Sequence, residues 1–306
     1  MGQDGAIRSI GSSGLPSLKT YAYPLLGRLP VALIDTDLVL QVLEPIWKQK
    51  PETASRVRAR IETILDWAKV KGFREGENPA RWRGHLNQLL LSKRKVRTVR
   101  HHPSVPYKQI PTLMTDLRER DGVAERALEF GILTVLRSQE FRQAKWSEID
   151  FEERLLIVPG GLTGRMKRKN KEDAKEHRVP LSPAALALLK DLPRVGDCLF
   201  PGRRKGQAIG ETTVRRVLRD MGYAHDDGTI HGFRSSFRDW AAERTNFQNH
   251  VAEAALAHAI SNEVEAAYRR GEVLEKRRQL MDAWAKYCGS APAATKVLPF
   301  DHRKTG

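Results

Sequence analysis

Helical spacing governs most of this 306-residue chain, and two short runs stand out against it. LLIVPGG (155–161) and HRVPL (177–181) are β-prone, and the very basic stretch between them reads as the long loop of a hairpin. There are no internal repeats and no βαβ alternation. The chain reads as mainly α with a small antiparallel sheet. The clearest helix is PETASRVRARIETILDWAKVKG (51–72), where Pro51 suits the first turn and Gly72 the stop. Val57, Ile61, Ile64, Leu65 and Ala68 form its apolar stripe, and Arg56 and Arg58 lie largely off it. A further helix is expected to open at NPARW, with Asn78 as cap and Pro79 at its first position. Segment 111–137 spaces as two helices. Ser182 caps another, and more follow at 211–221, 231–244, 248–258 and 271–287.

The net charge of +16 favours a polyanionic partner, while 40% hydrophobic residues suffice to bury cores. A membrane surface is disfavoured, because no apolar run approaches roughly 18 residues and no basic amphipathic helix has an aromatic-rich face. MGQDGAIRSIGSSG lacks the apolar core of a signal peptide. The two cysteines, Cys198 and Cys288, make neither a disulfide framework nor a zinc site. A cytoplasmic, nucleic-acid-binding protein is expected. Residues 1–14 read as disordered or foreign to the fold, 15–91 as a helical domain and 92–106 as a basic linker. A second domain spans 107–288 and a tail 289–306. The linker cluster Lys93, Arg94, Lys95 and Arg97 suits a segment lying along DNA, as do Arg56 and Arg58 on the first domain.

TIHGFRSSFRDW (229–240) places His231 and Arg234 one turn apart at a helix start, where backbone donors favour an anion. Arg137 follows an apolar helix, with Glu140 three residues on. His258 lies in AALAHAIS, and Tyr268 comes ten residues later. This order of Arg, basic hairpin, HxxR, LxH and Tyr resembles the tyrosine recombinases, and within them the phage-type integrases. WSEIDF, HRVPLS, HGFRSSFRDW and AYRRGEVLEKRRQLMDAWAKY carry the resemblance through 107–288. LKTYAYPLLGRLPV, KPETASRVRARIE and ENPARWRGHL resemble the same enzymes' core-binding domain, which would be 15–91.

The resemblance implies a site-specific recombinase of a phage or genomic island, acting without metal, ATP or cofactor. Tyr268 would attack a backbone phosphate to give a 3′-phosphotyrosyl bond, and Arg137 and Arg234 would grip the phosphoryl oxygens. His231 would accept a proton or orient the phosphate, and His258 would be a further phosphate donor. Glu140 would orient Arg137. A hairpin lysine would protonate the leaving oxygen: Lys167, with Lys169, Lys171 and Lys175 as rivals. Gln139, where the family more often has a small residue, is expected to crowd Arg137. Implied partners are duplex attachment sites, four protomers during strand exchange from a monomer free in solution, and DNA-bending accessory proteins. The family's N-terminal arm-binding domain is expected to be missing, with the first core-binding helix begun midway. Two alternatives stay open: an inactive DNA-binding remnant of an integrase, and a type IB topoisomerase-like enzyme.

Overall fold

The computed structural model describes residues 15–91, 103–161, 176–223, 228–258 and 270–291. The chain divides into two compact units, Met1–His101 and His102–Gly306.

The first unit is helical. Helices α1 (Leu15–Tyr21), α2 (Tyr23–Leu26), α3 (Thr36–Trp47) and α4 (Pro51–Val70) follow in order. Asp35 caps α3, its Oδ1 accepting from the Leu38 amide at 2.9 Å. Along α4, Ala54, Val57, Ile61, Leu65 and Ala68 are buried at helical spacing, the first four packing in one cluster with Leu18, Val39, Leu43 and Trp47. The helix expected from Asn78 does not form. Asn78 instead ties a turn onto α4: its Oδ1 accepts from the Ala80 amide, and its Nδ2 donates to the Glu62 carbonyl at 2.9 Å and to Asp66 at 2.6 Å. Arg83 is extended and Gly84 left-handed at φ 71°, so only short helical turns follow. Trp82 stacks on Trp47 with ring centroids 5.5 Å apart.

The second unit holds α5 (Ile110–Arg118), α6 (Val123–Thr134) and α7 (Ser138–Arg142), then strands β1 (Ile149–Asp150), β2 (Leu155–Val158) and β3 (His177–Pro180). After them come α8 (Pro183–Asp191), α9 (Glu211–Asp220), α10 (Gly232–Arg244), α11 (Asn249–Ala255) and α12 (Arg270–Cys288). The hairpin strands pair antiparallel, with Leu156 opposite Val179 and Val158 opposite His177. Strand β1, not expected from the sequence, extends the sheet in the order β1-β2-β3. Ser182 caps α8 by accepting from the Ala185 amide.

The core centres on Trp284 of α12, which packs edge-on against Phe237 at 5.4 Å and beside Trp240 at 5.0 Å. Its Nε1 donates to the Ile132 carbonyl of α6 at 2.8 Å, so the large ring is buried without stranding its polar atom. Helices α6, α10 and α12 are thereby held around one aromatic cluster. Among the described residues, no helix is long and apolar enough to cross a membrane.

Candidate active site

The glycine between His231 and Arg234 has a packing reason. A Cβ on Gly232 would lie 2.8 Å from the Ser104 Cα and against the Pro103 carbonyl. Residues 103–105, the end of the segment read as a linker, therefore cross the start of α10 at backbone contact. They are fastened there: the Thr229 amide and hydroxyl donate to the Pro103 carbonyl at 3.1 and 3.2 Å, and Ser236 Oγ donates to the Val105 carbonyl. His231 sits exposed at the start of α10, and its carbonyl accepts from the Arg234 amide at 3.2 Å.

Arg234 points inward and is only 5% exposed. Its Nη1 donates to the Val135 carbonyl and its Nη2 to the Leu256 carbonyl, both at 2.5 Å. Burial, and then the Arg137 charge, push its pKa down to about 10, so it stays protonated at neutral pH. The two accepting carbonyls sit at special backbone positions. Val135 ends α6 in the left-handed region (φ 50°), and Leu256 precedes Ala257, also left-handed (φ 49°). Neither left-handed residue is glycine, and such strain persists where surrounding contacts over-determine the conformation.

Arg137 follows this bend directly. Glu140, 1% exposed at its side chain, accepts from the Arg137 amide and from its Nη1, each at 2.9 Å. Arg137 Nη2 reaches the Ala257 carbonyl at 3.4 Å. Gln139 does not crowd it: the side chain is exposed and reaches Gln143, because the first turn of α7 directs it away from Glu140. His258 stands 3.4 Å from Arg234 Nη2 through its Nε2, and its Nδ1 pairs with Glu253 at 2.6 Å. Arg238 Nε holds the other Glu253 oxygen at 2.6 Å. Burial opposes ionisation of Glu253, but the His258 and Arg238 bonds outweigh it and set its carboxyl below the ordinary range.

The structure thus brings Arg137, Arg234 and His258 together around residues 255–258. Exposure grades outward, from 5% for Arg234 to 20% for the Arg137 side chain and 46% for that of His258. A preorganised cluster of N–H donors, two of them fixed by buried carboxylates or carbonyls, is suited to an oxyanion. The sequence reading missed Glu253 and His177. No spacing signal marks Glu253, whose role depends on the turn at Ala257. In the sequence His177 is marked only as the first residue of a β-prone run. It is buried at the start of β3, its imidazole donates to the Ala255 carbonyl, and it lies among the charges of Arg277, Arg137 and Arg234.

Tyr268, Lys167 with its rivals Lys169, Lys171 and Lys175, and Lys93, Arg94, Lys95 and Arg97 lie outside the described residues. Arg56 is exposed on α4. Arg58 has an internal role instead: its Nη1 donates to Glu62 at 2.6 Å and to the Ala80 carbonyl at 2.7 Å, because the turn at 78–82 folds back over it. Among the described residues, no cluster of three or more His, Cys, Asp or Glu could hold a metal ion.

Known proteins share both halves of this arrangement. Residues 12–85 match the phage integrase central domain, and residues 104–273 match the phage integrase family. The integrase of Enterobacteria phage P4 is 29% identical over 88% of this chain and 63% of its own length. Prophage integrase IntA of Escherichia coli K12 is 30% identical over 92% of this chain and 66% of its own. The chain therefore spans about two thirds of the length of these curated relatives. A lambda integrase dimer bound to a COC′ core site superposes with a TM-score of 0.59 at 17% identity, over 84% of this chain and 92% of that one. The Tn1549 transposon integrase in complex with transposon right-end DNA gives 0.61 at 11%, over 92% and 96%. The mostly helical architecture with its three-stranded sheet is thus the tyrosine-recombinase fold, and a family match covering more than half of the residues leaves one assignment: the chain belongs to the phage integrase family.

Proposed function

We propose that this chain is a site-specific recombinase that cuts and rejoins duplex DNA through a 3′-phosphotyrosyl intermediate. The observation that carries the reading is the grouping of Arg137, Arg234 and His258 around one turn, in a chain of the phage integrase family. In this reading the Tyr268 phenol attacks phosphorus as its proton passes to His231. The P–O5′ bond breaks, and the 5′ oxygen takes a proton from Lys167 or a rival hairpin lysine. The reverse attack by a 5′-hydroxyl of a second strand regenerates the tyrosine, so the bond energy is conserved and no external energy source is needed. The guanidiniums of Arg137 and Arg234 stabilise charge on the non-bridging oxygens, and loss of one such donor costs on the order of a hundredfold in rate.

The partners in this reading are duplex attachment sites, four protomers during exchange from a free monomer, and DNA-bending accessory proteins. The setting is the cytoplasm of a bacterium carrying a phage or genomic island. Arg56 and the cluster Lys93, Arg94, Lys95 and Arg97 would follow the phosphate backbone. The domains would be a core-binding 15–91, a linker 92–106, a catalytic 107–288 and a tail 289–306. The family matches do not favour an inert remnant or a topoisomerase-like enzyme.

The test is a nicked duplex carrying the junction sequence of the element that encodes the chain, incubated without added metal and then denatured. Wild type should give a covalent protein–DNA adduct and Tyr268→Phe none. A duplex that the protein binds without any adduct would overturn the reading.

A further inference from the structure

The C-terminal end of α11 poses a problem that three side chains solve. The last carbonyls of a helix have no partners within it. Here the Ala255 carbonyl accepts from the His177 imidazole, the Leu256 carbonyl from Arg234 Nη2 at 2.5 Å, and the Ala257 carbonyl from Arg137 Nη2 at 3.4 Å. The next residue is His258. Three consecutive carbonyls thus each engage a different side chain, and the position after them is itself part of the anion site. Two of the three side chains, Arg234 and Arg137, belong to the proposed catalytic set. The third, His177, is the outlier.

We propose that His177 is a positioning residue of the phosphate site, fixing the 255–258 turn against β3 so that the carbonyls of Leu256 and Ala257 present Arg234 and Arg137 in register with His258. The proposal rests on the recombinase reading of that site. His177 is placed for this at the first position of β3, opposite Val158, and is 8% exposed. The strand beneath it is itself anchored: Arg277 of α12, also 8% exposed, donates from Nη2 to the Arg178 carbonyl at 2.7 Å. The turn is the element that needs such support, because Ala257 holds a left-handed conformation that a non-glycine residue adopts at a cost. The imidazole acts as a neutral donor. Burial, and then the charges of Arg277, Arg137 and Arg234, push its pKa down to about 3. A neutral donor meets the carbonyl without adding a fourth cation to the cluster.

The test compares full-length wild type with His177→Leu, which fills the space without a donor, and with His177→Asn and His177→Gln, which restore one. The first readout is amide exchange at Leu256, Ala257 and His258, whose N–H groups bond Ala252, Ala254 and Glu253 carbonyls at 3.1, 3.1 and 3.0 Å. His177→Leu should exchange there about tenfold faster, the loss expected for one hydrogen bond, with α6 and α12 unchanged. The second readout is adduct formation on the nicked duplex, which should fall about tenfold or more while affinity for that duplex stays within about twofold. At least one of the amide variants should recover both. Wild-type exchange at 256–258 in His177→Leu would overturn the proposal, as would loss of protection spread evenly over the unit, or failure of both amide variants. If wild type itself forms no adduct, the recombinase reading falls, and the exchange experiment still decides whether His177 holds the turn.

Discussion

At the level of single residues, the site is built on backbone conformations that side chains normally avoid. Val135 and Ala257 are left-handed, and their neighbourhood supplies the carbonyls that hold Arg234 and Arg137. Replacing Ala257 with glycine should relieve the strain and raise unfolding stability by about 0.5–1 kcal/mol, since glycine's greater unfolded-state entropy offsets part of the gain. Urea denaturation of the two proteins checks this. His177 gives a second prediction. Its folded pKa of about 3 lies below the usual 6.5, so between these values the unfolded chain binds a proton that the folded chain does not. Stability should therefore be complete above about pH 6.5 and fall as pH drops toward 3, by at most about 1.4 kcal/mol per pH unit from this residue. His177→Leu should flatten that part of the stability–pH curve. Such features leave little trace in sequence. A left-handed alanine has no compositional signature, and Arg234 meets Val135 across 99 residues, which spacing rules do not reach.

At the level of elements, local pattern did better. The stripe on α4 was readable because a helix buries every third or fourth residue, and the β2–β3 hairpin because its runs are short and β-rich. The failures share a cause. Asn78 and Pro79 make a good helix start, but Asn78 spends its side chain on α4 and on its own turn, and Gly84 turns left-handed soon after. Strand β1 is two residues long and exists through its pairing with β2, so no periodicity could show it. The candidate site was legible mainly through resemblance. Residue types alone did not separate His231 or His258 from ordinary surface histidines. The start of α10 carries the prediction at this scale. Gly232→Ala sets a methyl against the backbone of residues 103–104, which cannot yield as a flexible side chain would. The expected loss is about 1–3 kcal/mol of stability. Thermal unfolding, compared with Ser235→Ala on the same helix, is the measurement.

For the whole molecule, charge is the dominant property. With a net charge of +16, binding to duplex DNA should weaken steeply with salt. If six or more phosphates are neutralised, affinity should fall about a thousandfold or more between 50 and 200 mM salt, with a log–log slope of about −5 or steeper. A filter-binding titration over that range measures it, and a slope near zero would mean that the basic surface does not meet DNA. The same molecule also ties its chemistry to its own survival. Arg234 is the partner of two buried carbonyls from distant parts of the chain. Stranding such groups costs about 1–3 kcal/mol each, a large share of the total for a domain of this kind. As genes of this family decay, substitutions at this arginine should therefore lower the stability of the folded protein together with any activity. A copy that persists as an intact DNA-binding relic is expected to have lost its chemistry more often at another position.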